Sequence, residues 1–89
     1  LALLAELRNA GLRVIVGAHV GETSLLTRAA LTVANVARDC LMAQEGAFGT
    51  HLLEYDVIDP PIMFGPGGLL DAGGLPRGAG FGVTPQSMP

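Results

Sequence analysis

Val14-Ile15-Val16-Gly17-Ala18-His19-Val20-Gly21-Glu22-Thr23-Ser24 is the stretch on which the reading of this chain turns. A β-branched run enters it and a long helical pattern leaves it. Between them lie a histidine, a carboxylate and two glycines. That order places polar groups at the carboxyl end of a buried strand, where β/α architectures concentrate their chemistry. Leu12 to Val16 is a continuous apolar run interrupted only by Arg13, so it reads as a parallel strand covered on both faces.

Upstream, Leu1, Leu4, Ala5 and Leu7 share one side of a helical pattern over residues 1 to 10, with Glu6, Arg8 and Asn9 on other faces. Gly11 is expected at the position just past that helix, where glycine alone takes the left-handed conformation cheaply. Downstream, Thr23 or Ser24 is expected to cap the next helix through its hydroxyl. The polar positions Arg28, Thr32, Asn35 and Asp39 then recur at steps of four, three and four, a single stripe of helical period. The other faces are apolar, so this helix is expected to be covered on most sides. Arg38 is expected near its end, where a cation favours the dipole. Cys40 to Gln44 fits either an extension of the helix or a short buried strand ending at Glu45. The strand is preferred, because Gly46 and Gly49 break the pattern directly after it. The order helix, strand, helix, strand is that of a parallel β/α fold.

The rest is less regular. Pro60 and Pro61 forbid a helix across residues 50 to 64 and favour an extended path. From Gly65 onward the composition turns rich in glycine and proline, giving a division into a β/α part, 1–64, and a turn-rich tail, 65–89. Gly68 to Leu70 and Phe81 to Val83 are the tail pieces expected to pair, and the stretch from Pro85 is expected to fray.

Composition narrows the function classes. The chain has 89 residues, a net charge of −3 and five arginines without a lysine. The arginines are scattered, which argues against a nucleic-acid surface. Arg28, Asn35, Arg38 and Asp39 interrupt the most apolar window, which argues against a membrane span. No signal-peptide layout is visible at Leu1 to Leu12, and the single Cys40 fits either a reducing compartment or simply a buried, inert thiol, so a cytoplasmic setting is expected. The chain starts inside a helical pattern without Met and is expected to be a piece of a longer one, with a processed mature protein as the alternative.

Glu22 and Glu45 are the leading candidates for chemistry, each at the expected carboxyl end of a strand. Two such carboxylates on one barrel mouth suit acid or base work. The plain alternatives are a first-turn carboxylate at the helix dipole for Glu22 and a solvated loop acid for Glu45. His19 is a candidate proton carrier near neutral pH, with a hydrogen-bonded structural histidine as the alternative. His51 with Glu54, and Asp56 with Asp59, lack the further ligands or spacing of a zinc or calcium site. Gly78-Ala79-Gly80-Phe81-Gly82 lacks the preceding strand and following helix of a phosphate loop.

Three runs together carry a family resemblance: GAHVGETSLLTRAALTVAN from Gly17, QEGAFGTHLL from Gln44 and FGPGGLLDAGGLPRGAGFGV from Phe64. In order and spacing the chain resembles the C-terminal end of an enolase-superfamily enzyme of the mandelate racemase and muconate lactonizing group. The resemblance spans Leu1 to about Pro85. It implies an α/β fold, namely the C-terminal fragment of a (β/α)7β TIM-type barrel with a Gly-rich tail returning to a capping domain. It further implies a parent enzyme, commonly a homo-oligomer, that abstracts the proton α to a carboxylate with the help of Mg²⁺. A small carboxylate is then the substrate, and the metal offsets the weak acidity of the α-proton. By position, Glu22 matches the acid of the seventh strand and Glu45 that of the eighth. His19 lies near the histidine base of the racemases and sugar-acid dehydratases. The metal ligands belong to strands outside this chain, so the isolated 89 residues are expected to bind no catalytic metal and to be inactive. The rival expectation is a small non-catalytic β/α module that packs its apolar helix on a partner.

Overall fold

The structure, a computed structural model, describes residues 2–19, 22–46, 49–70, 75 and 77–87. Parts of the motifs above lie outside these residues, among them Leu1, Val20, Gly21, Ala47, Phe48, Gly73, Gly74 and Pro76. The elements are helix α1 (Ala2–Asn9), strand β1 (Val14–Val16), helix α2 (Ser24–Val36), strand β2 (Leu41–Gln44) and the single turn α3 (Gly49–Leu52). A 3-10 turn, Pro66–Gly68, comes next in the tail.

α1 ends as its sequence dictates. Gly11 adopts φ +71°, the Leu12 N–H donates to the Leu7 carbonyl at 3.0 Å, and the Gly11 N–H donates to the Arg8 carbonyl at 3.0 Å. These two bonds form a Schellman cap, which satisfies carbonyls that the helix itself leaves open. The chain then enters β1, which pairs with β2 in parallel. Val14 faces Leu41, Ile15 faces Ala43 and Val16 faces Gln44, with a register irregularity between Val14 and Ile15. Parallel neighbours need a crossover, and α2 supplies it, so β1-α2-β2 is one βαβ unit. The pair is closed at one end by the Val14 N–H on the Cys40 carbonyl and at the other by the Glu45 N–H on the Val16 carbonyl, both 2.9 Å.

Leu4, Ala37 and Cys40 form the buried core under this unit, with Val14 packed against them. The buried thiol of Cys40 matches its reading as a packing residue. Arg8 ties α1 to the far end of α2. Its Nε and Nη2 donate to Asp39 Oδ1 at 3.0 and 2.6 Å, and Nη2 also donates to the Val36 carbonyl. That guanidinium holds the Asp39 carboxyl below the usual carboxylate range.

Several expectations are corrected. β1 begins at Val14, not Leu12, and Arg13 stands outside it, donating from Nη2 to the Leu41 carbonyl at 3.2 Å. The strands are not covered on both faces: Ile15 is 53% and Met42 59% exposed, because no second layer lies over that side among the described residues. For the same reason α2 is not covered on most sides, and Leu26, Val33 and Val36 are exposed. α2 stops at Val36, where the Cys40 N–H closes on the Ala37 carbonyl and turns the chain into β2. Arg38 therefore sits beyond the helix rather than in its last turn. In the tail, Gly68 to Leu70 and Phe81 to Val83 do not pair as strands. The Gly65 N–H instead closes on the Leu69 carbonyl, and the Gly82 N–H on the Ala79 carbonyl. The tail returns to α2 and to the segment after α3. The Arg28 guanidinium lies 5.9 Å from the Phe81 ring centroid, and the Gln86 N–H donates to the Val57 carbonyl at 2.7 Å. The architecture shown is thus mixed α/β with a two-stranded parallel sheet.

Candidate functional site

The carboxyl ends of β1 and β2 lie side by side because the Glu45 N–H bonds to the Val16 carbonyl. Gly17, Ala18 and His19 leave one strand there, and Glu45 and Gly46 leave the other. The two exits touch. Gly46 has φ +94°, and a Cβ added to it would stand 2.6 Å from the Ala18 Cβ. A Cβ added to Gly17 would stand 3.9 Å from Glu45 Oε2, so the Glu45 carboxylate lies beside the backbone that leads to His19. Glu45 itself is exposed.

Glu22 returns toward this end by a different route. Its Oε1 accepts the backbone N–H of His19 at 2.7 Å, closing the turn between β1 and α2. His19 and Glu22 therefore meet, but through the histidine's backbone, and the exposed imidazole takes no part in that bond. Glu22 precedes the capping residue Thr23, so it is not a carboxylate of the first helical turn. The structure brings His19 to Glu22 and Glu45 to Gly17. It brings all three to the same end of the sheet.

The start of α2 departs from expectation. The Thr23 side chain makes no capping bond, and the first turn holds no acidic residue. The Ser24 hydroxyl points instead to Asp56, donating to Oδ2 at 2.6 Å, while the Ser24 N–H meets Oδ1 and Oδ2 at 3.0 and 3.2 Å. Asp56 thus does from 32 residues away what a local cap would have done. Ser24 and Asp56 are both buried. Residue spacing tests Asp56 only as a calcium ligand and does not point to this role. The signal available is indirect: a helix start without a capping box leaves orphan N–H groups that need an acceptor from elsewhere.

His51 and Glu54 are exposed. Among the described residues no group of three or more His, Cys, Asp or Glu side chains could hold a metal ion, so the residues present do not fit a Mg²⁺ site. None of the described helices is long and apolar enough to cross a membrane. An apolar groove of about 360 Å³ opens between α1, β1 and α2, lined by Leu3, Leu7, Ile15 and Val33 among others. No family model, curated protein or solved structure matches this chain.

Proposed function

We propose that the chain is the last β/α segment of a (β/α)7β barrel enzyme of the mandelate racemase and muconate lactonizing type. The parent enzyme, a cytoplasmic homo-oligomer, would remove the proton α to the carboxylate of a small acid as a racemase, epimerase, cycloisomerase or dehydratase. The observation that carries this reading is the parallel βαβ unit with Glu45 beside Gly17 at the carboxyl ends of both strands. Chemistry in barrels sits at that end. Glu45 then supplies an acid or base wall of the mouth, Glu22 shapes the turn beside it, and His19 is a candidate base on that turn. Mg²⁺ is assigned to ligands outside this chain. The uncovered face of β1 and α2 supports the same reading, since barrel neighbours would cover Ile15 and Val33.

The groove also favours the second reading, an association module without catalysis.

The deciding experiment is α-proton exchange. The chain is joined in frame to whatever its coding sequence specifies upstream of Leu1, and deuterium uptake from D2O is followed on a panel of 2-hydroxy and sugar acids with and without Mg²⁺. Exchange that needs both Mg²⁺ and the upstream region is expected, with none from the 89 residues alone. Mg²⁺-dependent turnover by the 89 residues alone would overturn their reading as an inactive segment, whereas no exchange from the joined protein, or a start codon directly before Leu1, would favour the association module.

A further inference from the structure

Asp56 joins three parts of the chain that are far apart in sequence. Its carboxylate accepts the N–H and the hydroxyl of Ser24, and Oδ1 also lies 3.4 Å from the Ile58 N–H. Ser24 Oγ in turn accepts the Ile62 N–H at 2.7 Å. The Asp56 carbonyl accepts Gln86 Nε2 at 2.9 Å, next to the Gln86 N–H on Val57. A buried carboxylate is tolerated only when donors surround it, and here they come from the start of α2 and from its own segment. Ser24 is two residues from Glu22, whose carboxylate closes the His19 turn. That turn is therefore held by β1 at one end and by Asp56 at the other.

We propose that Asp56 is a positioning residue for the mouth: it fixes the start of α2, and through it the Glu22–His19 turn, and it makes that turn sensitive to docking of the tail at Gln86. The proposal rests on the reading of the strand ends as the functional mouth, but its test needs no activity. The reporter is the His19 amide in ¹⁵N–¹H spectra of the 89-residue chain. An amide bonded to a carboxylate moves when that carboxylate is replaced by an amide, so the displacement of the His19 signal on Glu22→Gln, measured in each background, is the step that reports this bond.

Asp56→Asn keeps the linkage. Its amide oxygen accepts the Ser24 N–H and its NH2 donates to Ser24 Oγ. The freed hydroxyl proton turns to the Ile62 carbonyl, already 3.3 Å away. Asp56→Ala removes every partner of the carboxylate. The expected result is a full step in Asp56→Asn and a step reduced at least twofold in Asp56→Ala, with helical circular dichroism retained. Gln86→Ala, distant from the mouth in sequence and able to fold if Asp56→Ala cannot, is expected to shrink the step measurably. A full step in Asp56→Ala overturns the positioning role, and an unchanged step in Gln86→Ala overturns the link to the tail. Absence of α-proton exchange in the joined protein would sink the enzyme reading without moving any of these spectra.

Discussion

Gly46→Ala is the sharpest perturbation of the paired strand exits. Two costs add. The backbone at φ +94° is one that a side chain with a Cβ adopts at a penalty of about 1–2 kcal/mol. The new methyl also falls 2.6 Å from the Ala18 Cβ, and forcing extra carbon into a filled site costs roughly 1–3 kcal/mol. Neither methyl can swing away, because each is fixed to backbone at a strand exit, and the exits are joined by the Glu45 N–H on the Val16 carbonyl. The sum, about 2–5 kcal/mol, is a large share of the stability of a small domain. Urea unfolding followed by circular dichroism reads it directly. Gly17→Ala is the control: its methyl meets only Glu45 Oε2 at 3.9 Å, an ordinary contact, and its φ is not left-handed. It should leave stability within about 1 kcal/mol of the parent. Adding Ala18→Gly to Gly46→Ala should recover the steric part but not the backbone part. A Gly46→Ala chain as stable as the Gly17→Ala control would refute the close approach of the two exits.

Two further outcomes concern side chains outside that contact. Asp39 is held below its ordinary range chiefly by its hydrogen bond from Arg8, so its contribution to stability is complete above the unfolded value of about 4 and is lost as pH falls through the folded one. Melting temperatures of the parent and of Asp39→Asn should therefore converge on acidification, and a gap that stays constant would contradict the ion pair. Ser24→Ala removes a buried hydroxyl that donates to Asp56 and accepts from Ile62, and should cost about 1–3 kcal/mol in urea unfolding. A loss within the error of the extrapolation would mean that water replaces the hydroxyl.

What the sequence disclosed was local. Gly11 announces its left-handed turn because the helix before it and the strand after it are both contiguous in the chain. The alternation that yields β1, α2 and β2 is likewise written in runs of neighbouring residues, and so is the placement of Glu45 at a strand end. What it hid was non-local. The partner of Ser24 lies 32 residues away, and nothing in the spacing of Asp56 marks it as a cap. The composition of β1 and α2 states that they are suited to burial, not what buries them. The same apolar residues that fit a covered strand leave Ile15 and Val33 facing an open groove. For the strand ends, residue types pointed to Glu22, Glu45 and His19 alike, and only the fold separates a carboxylate bound to a backbone amide from one that is exposed.

That separation makes the two acids unequal, and it can be measured. Glu22 Oε1 is engaged by the His19 N–H, a bond that a glutamine's amide oxygen can also accept. Glu22→Gln should therefore keep the turn and lose mainly its charge. Glu45 is exposed at the end of a strand whose position is fixed by the Val16 carbonyl, with its Oε2 beside Gly17, and the proposed enzyme reading assigns it acid or base work there. Glu45→Gln deletes that ability without a buried partner to upset. In the joined protein, Glu45→Gln should lower α-proton exchange by at least about a hundredfold, the lower end of the usual contribution of a general acid or base, while its unfolding midpoint barely moves. Glu22→Gln should lower it less. Equal losses, or the reverse order, would mean that the backbone bond at His19 is not what distinguishes the two acids. Unchanged turnover in Glu45→Gln would remove that residue from the chemistry altogether.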